Sequence, residues 1–155
     1  EEGRDPFVIM LDGVTDVRNF GSIARTCECA AVDALVVPIK GGVMISGDAI
    51  KTSAGALHSL PVCKERSLTE AIRFAKNSGL KVVAVARGAK KTYLDADLTG
   101  PLALVFGDER TDVSDDVLRS ADAVISIPTL GSIDNLNVAV SAGVVVYEAL
   151  RQRKQ

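Results

Sequence analysis

The stretch Leu102-Ala-Leu-Val-Phe106 is an apolar segment of strand length in which no polar residue alternates with the apolar ones. A strand of that composition is buried on both faces, as strands of a parallel sheet are. Four other short runs have a similar composition, and they cover residues 7–11, 35–37, 81–86 and 123–127. Together the five runs predict a mostly parallel sheet.

Segments with helical character separate these runs along the chain. Ser67 and Glu70 have the spacing of a capping box, which begins a helix, and Gly79 follows as a C-terminal stop. We predict helices over residues 21–31, about 48–57, 67–77, 114–120 and 137–151. The alternation of strands and helices predicts an α/β fold, a mostly parallel sheet flanked by helices.

Length and charge limit the functions open to this chain. Its 155 residues, 47% of them hydrophobic, can bury the core of one domain, and no linker divides the sequence. The 18 basic and 20 acidic residues give a net charge of −2. Bulk attraction therefore does not hold nucleic acid here, and any RNA binding is local or shared with another part of the protein.

Cysteine usage and hydropathy bear on the cellular compartment. The three cysteines are an odd number, and Cys27 and Cys29 are separated by one residue in a predicted helix. A disulfide scaffold is therefore not expected, and a reducing cytoplasm fits better. The longest apolar runs are broken well before the roughly 20 residues that span a bilayer, so no membrane association is expected.

The common signatures of nucleotide-binding and hydrolytic α/β proteins are missing. The first predicted strand continues into Asp12-Gly-Val-Thr15 and not into G-x-G-x-x-G, and no G-x-x-x-x-G-K-[ST] or G-x-S-x-G is present. The single histidine, His58, has no standard ligand spacing to the cysteines, so we expect no metal. An unrelated nucleotide-binding domain remains one interpretation, and it predicts affinity for ATP or NAD.

Three polar, glycine-containing segments directly follow predicted strands, at residues 12–25, 107–114 and 127–137. The carboxyl ends of parallel strands meet at one edge of the sheet, so these segments can converge on one pocket. From the residues alone, Asn19 is a candidate helix N-cap. Arg25 is either a surface arginine or a fork for phosphate or carboxylate. Gly107 is explained nearly as well by a simple turn.

The order of three motifs carries a family resemblance. They read N-x-G-x-x-x-R from Asn19, G-x-E from Gly107 and I-P-x-x-G-x-x-x-x-L-N-V from Ile127. They resemble the motifs of the SpoU or TrmH family of the SPOUT superfamily, and the resemblance extends from Phe7 to Arg153. The family implies a parallel α/β sheet with a C-terminal trefoil knot, and an S-adenosylmethionine-dependent RNA ribose 2′-O-methyltransferase.

The resemblance also implies a substrate and an organisation. The segment 51–58 with Pro61-Val62 looks most like the branch that acts on a guanosine of large-subunit ribosomal RNA. Transfer RNA is the alternative substrate, and a catalytically silent RNA-binding or assembly protein is the alternative function. Residues 1–155 match the catalytic domain, while the family's small N-terminal RNA-binding domain is missing from this chain. The implied functional unit is a homodimer, with part of the last helix as its interface.

Site residues follow from the motif positions. Gly107, Ile127 and Leu136 match residues that touch the cofactor, mainly through backbone groups, and Pro128, Asn137 and Ala139 lie close by. Arg25 matches the catalytic arginine, which the partner subunit supplies in this family. The resemblance makes Asn19 and Glu109 the residues that orient Arg25 and the ribose. Asn135 stands where the family usually has a catalytic-site serine.

Two further positions depart from the family, because Arg110 and Asp112 stand where glycines are usual. Arg110 is a candidate contact for RNA phosphate. Basic residues outside the motifs are also candidates for RNA contacts, with solvated surface charge as the alternative for each: Arg87, Lys90, Lys91, Arg151, Arg153 and Lys154.

Overall fold

A computed structural model describes residues 3–40 and 51–154. Six strands form one sheet in the order β3-β2-β1-β5-β4-β6, and every pairing is parallel. The strands are β1 (Phe7–Asp12), β2 (Ala34–Pro38), β3 (Val62–Glu65), β4 (Lys81–Val85), β5 (Leu102–Gly107) and β6 (Ala123–Ile125). The predicted parallel α/β sheet is therefore confirmed, and the segment 102–106 is buried along its whole length.

Helices cover both faces of the sheet. The helices are α1 (Val17–Cys29), α2 (Leu68–Asn77), α3 (Asp115–Ser120) and α4 (Val138–Arg153), with a short 3₁₀ helix at Ala56–His58. One apolar cluster joins α1 and α4 to one face, and a second joins α2 and α3 to the other. Within the described residues, none of the helices has the length and apolar character needed to cross a membrane.

Helix α1 begins earlier than the sequence predicts. The Asp16 carboxylate accepts hydrogen bonds from the backbone N–H groups of Arg18 and Asn19 at 2.9 and 3.0 Å, so Asp16 is the N-cap. Asn19 lies inside the first turn, and the predicted capping role of Asn19 is wrong. By contrast, the Ser67 hydroxyl does cap α2, accepting from the Glu70 N–H at 3.3 Å.

Two further differences concern the segment between β2 and α2. The helix predicted over 48–57 begins outside the described residues, and from residue 53 the chain forms turns and then the 3₁₀ helix. Strand β3 was not predicted, because three of its four residues are exposed at the edge of the sheet. It pairs with β2 through Leu35 opposite Val62.

The register of the central strands positions the site. Asp12, the last residue of β1, lies opposite Gly107, the last residue of β5. Strands β4 and β6 end next to them, with Val85 opposite Ile125. The segments that follow these strands therefore leave the sheet at one edge, where open α/β sheets bind their ligands.

Candidate functional site

A cleft of about 480 Å³, including its open mouth, lies at this edge of the sheet. It is formed by the segments that follow β4, β5 and β6, together with the start of α4. Five of the predicted site residues line it, namely Gly107, Glu109, Ile127, Asn135 and Leu136. The structure thus brings the second and third motifs together in one place.

Gly107 ends β5 where the chain returns closely on itself. A Cβ at this position would lie 2.4 Å from the carbonyl carbon of Asp112 and 2.5 Å from the nitrogen of Val113. Both obstructing atoms are backbone, so a side chain cannot be accommodated by a change of rotamer. The glycine is therefore required by the tight return of residues 107–113, and this segment forms one wall of the cleft.

Glu109 connects the second motif to the third. Its Oε1 accepts a hydrogen bond from the Val138 N–H at 2.9 Å, at the start of α4, where a carboxylate also interacts favourably with the helix dipole. Its backbone carbonyl accepts from Nδ2 of Asn135 at 2.5 Å. Two polar bonds therefore hold the 135–138 segment against the end of β5 and fix the shape of the cleft.

Asn137 connects the third motif to the first. Its Oδ1 caps α4 by accepting from the N–H groups of Ala139 and Val140 at 2.9 and 3.2 Å. Its Nδ2 donates to Oδ1 of Asn19 at 3.1 Å. Asn137 and Ala139, like Pro128, are not among the residues that line the cleft. The side chain of Asn19 is therefore hydrogen-bonded to a residue of the third motif, and not to Arg25 of the same chain.

The charge of the cleft is negative. Four carboxylates line it, those of Asp108, Glu109, Asp112 and Asp134, against the single guanidinium of Arg87. Arg87 lies 3.7 Å from a carboxylate oxygen of Asp112 and 3.5 Å from one of Asp134. These ion pairs connect the segment after β4 to the segments that follow β5 and β6. Motif reasoning did not single out Asp108 or Asp134, although both lie directly beside predicted site residues.

Asp108 is a buried carboxylate in this wall, with its side chain 1% exposed. Its Oδ2 accepts from the backbone N–H and from Nε of Arg110 at 3.0 and 2.8 Å, while its Oδ1 is buried without a hydrogen-bond partner. Burial acts to raise the pKa of Asp108, but the hydrogen bonds and charge of Arg110 outweigh it and lower that pKa. Asp108 is therefore ionised at neutral pH and holds Arg110 in place.

Arg25 lies outside the cleft of its own chain. It is exposed on α1 and lines a separate depression together with Glu28 and residues of the 53–59 segment. A reaction that needs both Arg25 and this cleft therefore needs two surfaces to meet. Within residues 3–40 and 51–154, no three His, Cys, Asp or Glu side chains form a group that could hold a metal ion.

The SpoU rRNA Methylase family model matches residues 6–147. The chain belongs to this family. It is 37% identical over 148 residues to the 23S rRNA (guanosine-2′-O-)-methyltransferase RlmB of Photorhabdus laumondii, a match that covers 96% of this chain and 61% of that protein.

Two solved structures of methyltransferases are similar to this chain. The crystal structure of an RNA 2′-O ribose methyltransferase has a TM-score of 0.89 and 33% identity, and the match covers 100% of this chain and 60% of that one. The SpoU methyltransferase AviRb from Streptomyces viridochromogenes, in complex with the cofactor AdoMet, has a TM-score of 0.90 and 28% identity over 98% of this chain and 60% of its own. This SpoU-family chain therefore spans about three-fifths of the length of these proteins.

The basic residues proposed for RNA contacts in this SpoU-family chain divide into two groups. Arg153 donates to the carbonyls of Gly100 and Asp5 at 2.6 and 3.1 Å and stacks 4.7 Å above the Phe7 ring, so it stabilises the fold. Arg151 binds Glu148 at 2.8 Å, and Arg87 is held by its two aspartates. The remaining three, Lys90, Lys91 and Lys154, are exposed.

Proposed function

We propose that this chain is the catalytic part of an S-adenosylmethionine-dependent methyltransferase that modifies a ribose 2′-hydroxyl in ribosomal RNA. The observation that carries the proposal is the cleft in which Gly107, Ile127 and Leu136 lie together. These are the three positions that match cofactor-contacting residues of the family. The named substrate of the RlmB relative, a guanosine of 23S rRNA, makes ribosomal RNA the preferred substrate class over transfer RNA.

The residues of the cleft suit this cofactor. S-adenosylmethionine carries a positive sulfonium, a positive amino group and a negative carboxylate, so its net charge is positive. Asp108 is paired with Arg110, but the carboxylates of Glu109, Asp112 and Asp134 still outnumber the guanidinium of Arg87 in the cleft. ATP and NAD carry several negative phosphate charges, which the same lining repels. The charge of the cleft therefore favours S-adenosylmethionine and argues against the interpretation as an unrelated nucleotide-binding domain.

The chemistry assigns distinct tasks to the cofactor and to the chain. When bound, the cofactor supplies an electrophilic methyl group. The ribose oxygen must be held in line with that methyl group and must lose its proton as the bond forms. A guanidinium keeps its proton in proteins, so Arg25 is not the base, and its task is to hold an RNA phosphate and stabilise the developing alkoxide. Glu109 positions the loop at residues 135–138 through its bond to Val138.

The proposal includes a homodimer in which each cleft receives Arg25 from the partner. Supporting it, Arg25 lines a depression separate from the cleft of its own chain. Val140 and Tyr147 are also exposed on one face of α4, at 52% and 46%, and provide apolar area for an interface. The trefoil knot implied by the family stays a prediction.

The proposal also assigns part of the RNA affinity to protein outside this chain. The net charge of −2 gives the chain no overall attraction for RNA, and Arg87, Arg151 and Arg153 are already paired within the chain. An additional RNA-binding domain, as the family resemblance implies, would supply the missing affinity. A ribosomal RNA substrate is consistent with the cytoplasmic location predicted from the cysteines.

A catalytically silent RNA-binding protein is the second candidate. One observation favours it: the Nδ2 of Asn135, at the position where the family usually has serine, is already bonded to the Glu109 carbonyl. An amide cannot accept and release a proton as a hydroxyl can. This candidate predicts cofactor binding without methyl transfer.

The test measures transfer of labelled methyl from S-adenosylmethionine to ribosomal RNA by the full-length protein. We expect transfer by the wild type and a decrease of about 100-fold in Arg25→Ala, because a charged group that stabilises the transition state is removed. Arg73→Ala, an exposed arginine on α2, is the matched control and should keep full activity. Cofactor binding by calorimetry without any transfer would instead support the silent protein.

A further inference from the structure

A depression lies on the surface beside Arg25. It encloses about 530 Å³ of space including its mouth, between the exposed face of α1 and the 53–59 segment. On the side of the 53–59 segment, the depression is lined by residues with small side chains, including Ala54, Gly55 and Ala56. Ala54 and Gly55 both have a positive φ, +56° and +85°, so the backbone turns sharply here. A wall of this kind leaves room for a nucleobase.

Two charged side chains on α1 face this space without partners of their own. Arg25 and Glu28 are three residues apart, so they lie on one side of the helix. In the part of the chain that the structure describes, neither side chain forms a hydrogen bond or an ion pair, although their charges are opposite. Both are therefore available to a ligand that offers a negative group near one and hydrogen-bond donors near the other.

A guanosine nucleotide in RNA offers this combination. Its Watson–Crick edge presents two adjacent donors, the N1–H and the 2-amino group, which a carboxylate accepts together. Adenine and cytosine present a ring nitrogen acceptor at the corresponding position, and uracil presents only one donor, so a carboxylate favours guanine over all three. Single-stranded RNA bases are commonly recognised on this edge.

We propose that Glu28 is the residue that selects guanine as the base of the methylated nucleotide, with the base lying in this depression. The proposal rests on the methyltransferase function proposed above and specifies its substrate. Arg25 and Glu28 are separated by about 4.5 Å along the helix axis, from the rise of three residues. Arg25 then holds the sugar-phosphate part of the same nucleotide while Glu28 binds its base.

The experiment compares three versions of one RNA. The full-length protein first methylates ribosomal RNA from cells that lack it, and the modified nucleotide is located by mass spectrometry. An oligoribonucleotide spanning that site is then made with guanosine, inosine or adenosine at the target. Inosine lacks the 2-amino group and therefore offers Glu28 only one donor. We measure kcat/KM for each RNA with the wild type, Glu28→Gln and the matched control Glu70→Gln, an exposed glutamate on α2.

We expect the wild type and Glu70→Gln to prefer guanosine to inosine by about 10-fold and to adenosine by about 100-fold, as for bidentate readout of a base. Glu28→Gln should lose activity on guanosine and lower the guanosine-to-adenosine ratio by at least about 10-fold, because an amide pairs with the edge of adenine. Its affinity for S-adenosylmethionine should not change.

Equal wild-type rates on guanosine and inosine, or an unchanged ratio in Glu28→Gln, would overturn the role of Glu28 alone. A wild type that binds the cofactor but methylates none of the RNAs would overturn the proposed function, and this inference with it.

Discussion

At the scale of single residues, Gly107 is the position where the site tolerates least change. Gly107→Ala should lower the free energy of unfolding by about 3 kcal/mol, because its Cβ would overlap backbone atoms of Asp112 and Val113. Binding of S-adenosylmethionine should be lost along with it, since residues 107–112 form a wall of the cleft. Urea denaturation and calorimetry measure the two effects.

The matched control for this substitution is Gly143→Ala. Gly143 lies inside α4, and a Cβ there meets no atom within 4 Å. Alanine has a higher helix propensity than glycine, so a single chain of this variant should be at least as stable as the wild type. Because Gly143 shares a face of α4 with Val140 and Tyr147, the comparison is made at protein concentrations low enough to dissociate the proposed dimer. If both alanine variants kept cofactor affinity and stability, the tight return after β5 would not be needed for the cleft.

Asp112 shows what the motifs could and could not predict. Its φ is +60°, a left-handed conformation that glycine adopts freely and that aspartate tolerates better than most residues. This explains why the SpoU motif usually has glycine here. The carboxylate adds contacts that a glycine lacks, because it accepts from the N–H of Val113 at 2.8 Å and from that of Arg87 at 3.2 Å. The second bond joins residues 25 apart in sequence, so no local pattern reveals it.

At the scale of elements, α4 is fixed at both ends by hydrogen bonds that reach distant segments of the chain. Asn137 and Glu109 satisfy N–H groups of its first turn. Near its C-terminal end, Gln152 accepts from the Leu98 N–H at 2.8 Å and donates to the Ala96 carbonyl at 3.0 Å. Because α4 begins at Val138, the last residue of the third motif, any loosening of the helix also moves a wall of the cleft.

Glu148, which lies inside α4, makes the stability of the protein depend on pH. Hydrogen bonds from Arg151 and Gln152 lower the pKa of Glu148 from 4.5 to about 2. A carboxyl group with a lowered pKa in the folded state stabilises the protein above its unfolded pKa, and this stabilisation is lost as the pH falls. We therefore expect the free energy of unfolding to decrease between pH 4.5 and pH 2, measured by urea denaturation.

Glu148→Gln should be less stable than the wild type at neutral pH and should show a smaller decrease over the same range. The decrease should not vanish, because the pKa values of Asp97 and Asp108 are also lowered. Arg151→Gln removes one of the donors and should raise the pKa of Glu148 toward its usual value. Superimposable pH profiles for Glu148→Gln and the wild type would show that this contact does not contribute.

The elements that the sequence predicted well are those whose hydrophobic pattern is strong. Strand β5 is buried along residues 102–106, and its composition alone indicated burial on both faces. Strand β3 escaped prediction because an edge strand with exposed residues has no such pattern. The start of α1 was misplaced because Asp16 and Asn19 are equally good caps by residue type, and only the path of the chain after β1 decides between them.

At the scale of the whole molecule, the convergence of polar segments at one sheet edge followed from the fold class, since parallel strands end on the same side. The contacts between those segments could not be derived from the fold class. Arg87 and Asp134, for example, come from segments after β4 and β6 and pair across the cleft at 3.5 Å. Such pairs depend on how the long loops are arranged in space, and neither periodicity nor spacing in the sequence encodes that arrangement.

The arrangement of Arg25 leads to a prediction about the assembly. If each active site combines the cleft of one chain with Arg25 of another, two inactive variants should restore activity when combined. Arg25→Ala keeps an intact cleft, and Leu136→Trp, which fills the cleft, keeps an intact Arg25. A heterodimer of the two has one complete site and one site with both defects.

Random reassortment of equal amounts of the two variants should therefore recover about one quarter of the wild-type methyl transfer, since half of the dimers are mixed and each has one working site. Each variant alone should remain inactive, and circular dichroism should show that both are folded. A third mixture, of Arg25→Ala with the double variant Arg25→Ala/Leu136→Trp, should stay inactive because no chain supplies the arginine. Activity that never rises on mixing would place Arg25 and the cleft in the same chain during the reaction, or would remove Arg25 from the reaction altogether.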